Sequence, residues 1–138
     1  MVDVGVSELR RSRDRLGRQA QAAEQAGERA ASGLLLFYAV ECGLKAELLR
    51  SVLNRNDTAA LPKDLRSHDL RRLAKALNLK DPGPGPDPLR CRRHRGGTWV
   101  ECHELHEAWR YGAELRADDQ KAALEALKSL LNDARKGT

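Results

Sequence analysis

Aromatic side chains are scarce in this chain, with one Phe, two Tyr and two Trp among 138 residues. Val, Ile and Thr are also few, and no stretch alternates apolar and polar residues for long, so a sheet-based fold has little to be built from. The longest apolar run, Leu34 to Val40, falls far short of the roughly 20 residues a membrane helix needs. It also starts too far from the N-terminus to act as a signal peptide, so a soluble chain is expected. Cys is limited to three residues, an odd number at irregular positions, which argues against a disulfide framework and for a reducing compartment, the cytoplasm. There is no Gly-rich phosphate loop, no nucleotidyltransferase acid pair and no Ser/His/Asp triad, and no cofactor is expected.

What the chain does contain is the material of packed helices. Apolar residues make up 41% and charged residues 33% of it, with abundant Ala, Leu, Arg and Glu. The length suits one domain spanning 1–138, all-α, an up-and-down bundle of about five helices, two long and three shorter. A formal charge of +5, carried largely by Arg in the first twenty residues and in residues 90–95, makes a polyanion the natural partner.

Helical periodicity begins at Ser7, the expected N-cap, and runs to about Gly27, with Leu9, Leu16, Ala20, Ala23, Gly27 and Ala30 on one seam and Arg11, Arg15 and Arg18 on an opposite ridge. A second helix is expected from about Glu28 to Leu53. It is apolar nearly all round, as suits the centre of a bundle or an oligomer interface. Its polar interruptions, Tyr38, Glu41 and Lys45, fall at steps of three and four and so share a face. Glu41 and Lys45 have the favourable order for an i, i+4 pair.

Residues 54–66 read as a connection, and Ser67 as the start of a short helix ending near Asn78, with His68 and Asp69 capping or pinning it. Asp81 to Pro88, DPGPGPDP, cannot be helical, and with RCRRHRGG (Arg90 to Gly97) it forms an expected Pro/Gly-rich basic loop at about 80–99. Helical patterning resumes near Val100 and again from about Asp118 to Ala134.

Three stretches resemble the HEPN family. FYAVECGLKAELLR (Phe37 to Arg50) is similar to its central helix, in which a Glu is followed by a Lys four residues on. SHDLRRLAKAL (Ser67 to Leu77) resembles the short helix opened by His-Asp-Leu. ELHEAWRYGAEL (Glu104 to Leu115) is similar to the later helix in which an Arg-Tyr pair precedes a Pro; Arg110 and Tyr111 match and Gly112 stands for the Pro. The resemblance implies a helical bundle, often homodimeric, in RNA- or nucleotide-related systems: ribonuclease toxins, phage-defence effectors, or partners of nucleotidyltransferases or antitoxins. Catalytic members carry an Arg followed after four to six residues by His. No Arg precedes His68, His94, His103 or His106 with four to six residues lying between the two, which favours the non-cleaving branch.

The residues themselves offer several chemistries. His103, His106 and Arg110 lie at steps of three and four and, with Glu41, form a candidate set for metal-independent RNA cleavage, a base plus a cation. Arg90, Arg92, Arg93 and Arg95 beside Trp99, together with Lys45, form a candidate nucleic-acid surface, guanidinium groups for phosphate and an indole for a base. Cys91, His94, Cys102 and His103 or His106 supply zinc-type ligands at a spacing outside the standard finger patterns, so no metal is expected. Cys42 reads as a core thiol. The expected function is an RNA- or nucleotide-associated HEPN-like binding domain in a defence or toxin–antitoxin-like system. A divergent HEPN ribonuclease and a protein-interaction adaptor are the alternatives.

Overall fold

The computed structural model describes residues 2–79 and 87–136, so most of the Pro/Gly-rich stretch lies outside the described residues. The described residues form an all-α helical bundle: α1 (Val6–Gln25), α2 (Arg29–Glu47), α3 (Leu70–Ala76), α4 (Leu105–Arg110) and α5 (Ala117–Arg135). Three of these helices are long and two short, against an expectation of two and three. α2 is the centre and packs against each of the other four helices. Its sequence requires that position: Leu36, Phe37, Ala39, Val40, Leu44, Ala46, Leu48 and Leu49 are all buried, on every side of the helix. The helix continues as a π-helical segment, Leu48–Leu53, ended by Asn54 in the left-handed conformation (φ +51°).

Small residues set how closely the neighbours approach. A Cβ at Gly43 would lie 2.9 Å from the Ala134 Cβ and 3.1 Å from Arg13 Cδ, so α1 and α5 both close onto α2 at this point. On α1 the seam holds at Val6, Leu9 and Ala20, all buried, while Gly27 and Ala30 are exposed because α1 ends at Gln25. The ridge of Arg11, Arg15 and Arg18 faces solvent as expected.

Helix starts differ from the sequence expectation in an instructive way. α1 is capped at Gly5, whose N–H donates to Glu8 Oε1 at 3.1 Å, and Ser7 is already inside the helix. α3 begins at Leu70, with Asp69 Oδ1 accepting from the N–H groups of Arg71 and Arg72 at 3.2 and 3.3 Å. A carboxylate satisfies two orphan donors where a hydroxyl would hold one. Ser67 instead accepts from the Asp69 N–H at 3.2 Å, one step upstream of the cap.

The basic segment is corrected from loop to hairpin. Strands β1 (Cys91–Arg92) and β2 (Trp99–Val100) pair antiparallel, Cys91 opposite Val100 and Arg92 opposite Trp99. The turn between them uses Gly96 and Gly97 at φ +81° and +68°. β1 is held on its other edge by the chain before α5, where Arg116 N–H donates to Arg92 O at 2.9 Å and His94 N–H donates to Glu114 O at 2.9 Å. Two-residue strands are too short to show alternation, so periodicity could not reveal them. The expected helix near Val100 starts later, as a 3₁₀ turn (Cys102–Glu104) leading into α4.

Among the described residues no helix is long and apolar enough to cross a membrane.

Candidate functional site

The three polar residues of α2 do form one face, and they meet side chains from α4 and from the start of α3. Lys45 Nζ donates to Glu41 Oε2 at 3.1 Å, and the other carboxylate oxygen, Oε1, lies 2.7 Å from His68 Nδ1. Both oxygens of Glu41 are therefore engaged, one by a cation on its own helix and one by an imidazole 27 positions away in sequence. A carboxylate can only accept, so Nδ1 of His68 carries a proton and donates it to Glu41.

The His68 ring lies over that of His106, centroids 4.4 Å apart. His106 in turn packs against Phe37 at 5.4 Å and Tyr38 at 6.2 Å. His106 is 4% exposed, and its Nδ1 has no hydrogen-bond partner among the described residues. Burial first, and then the nearby charge of His68, push its imidazole below the ordinary 6.5, so it stays neutral at physiological pH. One turn on, the Arg110 guanidinium donates to the Tyr38 hydroxyl and lies near the exposed Tyr111 ring. The result is a contiguous patch, Tyr38–Glu41–Lys45 from α2, His68 before α3, and His106–Arg110 from α4.

α4 owes its position to its own sequence. Trp109 is buried over Gly33 of α2, where a Cβ would come within 2.6 Å of the indole, and its Nε1–H donates to Gln120 Oε1 at 3.0 Å. Burying Leu105, His106, Ala108 and Trp109 leaves Arg110 on the rim. Gly112 follows at φ +73°, a conformation closed to proline.

Of the expected catalytic set, Glu41, His106 and Arg110 belong to this patch, and His103 does not. His103 is exposed on the 3₁₀ turn and makes no hydrogen bond, ion pair or ring contact with the others. His68 and Tyr38 complete the cluster, and neither was assigned a site role from sequence. The signal for Tyr38 was its place on the face shared with Glu41 and Lys45. The signal for His68 was Asp69, which does the capping and leaves the His free.

The basic segment is built differently from an open binding loop. Arg92 makes a two-pronged contact with Asp119, Nε to Oδ2 at 2.9 Å and Nη2 to Oδ1 at 3.1 Å, and its N–H donates to the same carboxylate at 2.8 Å. The Arg92 side chain bonded in this way is the main reason the Asp119 carboxyl is held below the usual 3.8. Arg90 pairs with Glu101 at 2.9 Å. Both guanidinium groups lie over the Trp99 ring, at 4.3 and 5.2 Å from its centroid. Arg90, Arg92 and Trp99 thus stitch the hairpin to itself and to α5, and the exposed Arg93 and Arg95 are its outward cations. Lys45 is buried and directed at Glu41, away from any phosphate on the surface.

The thiols Cys91 and Cys102 are buried, His94 is exposed, and among the described residues no group of three or more His, Cys, Asp or Glu is placed to hold a metal ion. Burial pushes the three thiols up, Cys42 to about 11, Cys91 to about 12 and Cys102 to about 11. Cys42 is half-buried at the edge of the core.

In comparisons with known proteins, no family model, no curated protein and no solved structure matches this chain.

Proposed function

We propose that this chain is a HEPN-like domain that engages RNA, with the Tyr38–Glu41–His68–His106–Arg110 patch as its functional centre. One observation carries the reading. The three stretches that resemble the family lie far apart in sequence, yet each sends a side chain to the same patch: Glu41 from Phe37–Arg50, His68 from Ser67–Leu77, and His106 with Arg110 from Glu104–Leu115. A packed bundle has no structural need to gather two imidazoles, a carboxylate and a guanidinium at one place. A titratable group perturbed by burial and by charged neighbours, as His106 is here, is a physical mark of a candidate functional site.

The patch suits a phosphodiester: Arg110 supplies a cation, and Tyr111, 75% exposed beside it, offers a ring on which a base can stack. Arg93 and Arg95 on the hairpin extend the positive surface. By the same resemblance the domain works as a homodimer in a defence or toxin–antitoxin-like system, alongside a nucleotidyltransferase-type or antitoxin protein.

Fluorescence anisotropy with labelled single-stranded RNA and tRNA tests the reading. Binding should occur at low salt and weaken steeply as salt rises, because each phosphate contact releases counterions. Arg110→Ala should weaken it. An absence of binding at low salt would remove RNA as the partner and leave a protein-interaction adaptor.

A further inference from the structure

We infer that the cleft between α1 and α5 binds a small aliphatic hydroxy acid, with the carboxylate held at Arg18 and Arg135 and the terminal hydroxyl at Ser32. The cleft encloses about 450 Å³, within the range of small-molecule sites. At about 3.6 residues per turn, Ser32 and Leu36 lie on the side of α2 opposite Tyr38, Glu41 and Lys45. The cleft is therefore separate from the patch above and independent of the RNA reading.

Its floor is apolar except at one point. Ala20, Leu36 and Leu131 are buried and present aliphatic surface. Beside them Ser32 is 2% exposed, and its hydroxyl makes no hydrogen bond among the described residues. A buried hydroxyl without a partner is costly, and because Ser32 lines the cleft, a group entering there can satisfy it. No aromatic side chain among the described residues lines the cleft, so nothing in it stacks on a nucleobase, whereas leucine and alanine surface suits an aliphatic body.

Charge is placed at the two ends. Glu24 precedes and Ser32 follows the turn that joins α1 to α2, and at this end Lys128 Nζ donates to Glu24 Oε1 at 2.7 Å, so cation and anion offset each other. At the other end the Arg135 guanidinium lies over Gly17, where a Cβ would stand 2.8 Å from its Nη2, and Arg18 is the next residue along α1. Asp14 faces Arg135 Nε at 3.6 Å but is bonded more closely by Arg13, at 2.8 Å. The bonded Arg13 first, with the charges of Arg135 and Arg18 added, holds the Asp14 carboxyl below 3.8. Three cations share one carboxylate there, which leaves positive charge for a second. The two walls also match in length. Gly17 to Glu24 on α1 and Lys128 to Arg135 on α5 each run for two helical turns, about 10 Å, the length of an extended ω-hydroxyoctanoate.

The test is an amide NMR titration of the full chain with ω-hydroxyoctanoate, octanoate and octanol in turn. The hydroxy acid should shift the resonances of the cleft residues and bind most tightly. Octanoate should bind roughly fivefold more weakly, the worth of one neutral hydrogen bond, and octanol more weakly again. Ser32→Ala should abolish the difference between the two acids. Arg18→Gln, a change at an exposed residue, should weaken both acids by about threefold, and its combination with Arg135→Gln by about tenfold, the scale of solvent-exposed ion pairs. Octanol binding should be unchanged in both variants, which loosening of the bundle would not allow. No shift at millimolar hydroxy acid, shifts confined to residues outside the cleft, or octanol binding as tightly as the acids would each overturn the inference. So would a difference between the two acids that survives in Ser32→Ala, or a nucleoside monophosphate that binds the cleft more tightly than the hydroxy acid.

Discussion

Gly33 lies against the Trp109 ring so closely that a Cβ there would stand 2.6 Å from the indole Cε2, with two more ring atoms within 2.9 Å. The contact seats α4 on α2 and thereby fixes His106 and Arg110 relative to Glu41. Trp109 cannot swing aside, because it is 4% exposed and its Nε1 is bonded to Gln120. Gly33→Ala should therefore destabilise the fold by about 1–3 kcal/mol despite the better helix propensity of Ala, the usual cost of overfilling a packed site. Urea unfolding followed by tryptophan fluorescence measures it.

Stability should depend on pH through His106. Its folded-state pKa lies below 6.5, so as pH falls the unfolded chain takes up the proton first. The contribution is fully present above about 6.5 and is lost progressively below it. The urea midpoint of the wild-type chain should drop between pH 7 and pH 5. His106→Phe should drop less, since it removes both the titration and a buried Nδ1 that has no partner among the described residues.

Asp119 sets a second, more acidic limb. Its carboxyl is held below 3.8, mainly by the bonded Arg92 side chain, so its stabilising effect is present above that value and disappears as pH falls through the lowered one. Asp119→Asn should lower the urea midpoint at pH 7, and the gap between variant and wild type should narrow as pH falls below 3.8. It should also release the Arg92 guanidinium from the Trp99 ring and change the tryptophan emission of the folded protein, because this one carboxylate holds both the β1 backbone and the Arg92 side chain.

The cysteines give a chemical check on burial. With thiol pKa values raised to about 11 to 12, only a small fraction of each is thiolate at pH 8. The folded protein should react slowly with a disulfide reagent, and three equivalents should appear rapidly once it is unfolded in guanidinium. Fast reaction of one equivalent in the folded state would mark Cys42, the half-buried thiol, as more open than its surroundings indicate.

Much of the architecture could be read from the residues, for physical reasons that differ by element. The burial of α2 was legible because Leu, Val, Ala and Phe occupy nearly every side of its middle, and the half-buried Tyr38 and Glu41 are polar breaks in that run. The hairpin was not legible, because it is set by a turn, by backbone bonds to residues 114–116 and by one carboxylate on α5, none of which leaves a periodic trace. Within the candidate site, helix spacing identified the partners on α2, and on α4 it identified His106 with Arg110. It misplaced His103, because the chain turns as a 3₁₀ segment there and rotates that side chain out of line with the α-helix that follows. His68 was hidden for another reason: its role depends on α3 docking beside α2, a contact across 27 residues of sequence.

That spread has a consequence for synthesis. The side chains of the patch run from Tyr38 to Arg110, and no two of its three contributing segments are adjacent along the chain. A nascent polypeptide emerging from the ribosome holds Glu41 and His68 well before it holds Arg110, and it lacks α5, which packs on α2, until later still. The patch is thus assembled only once α4 has emerged and α5 can pack on α2, and whatever it does is withheld from a chain that still lacks them.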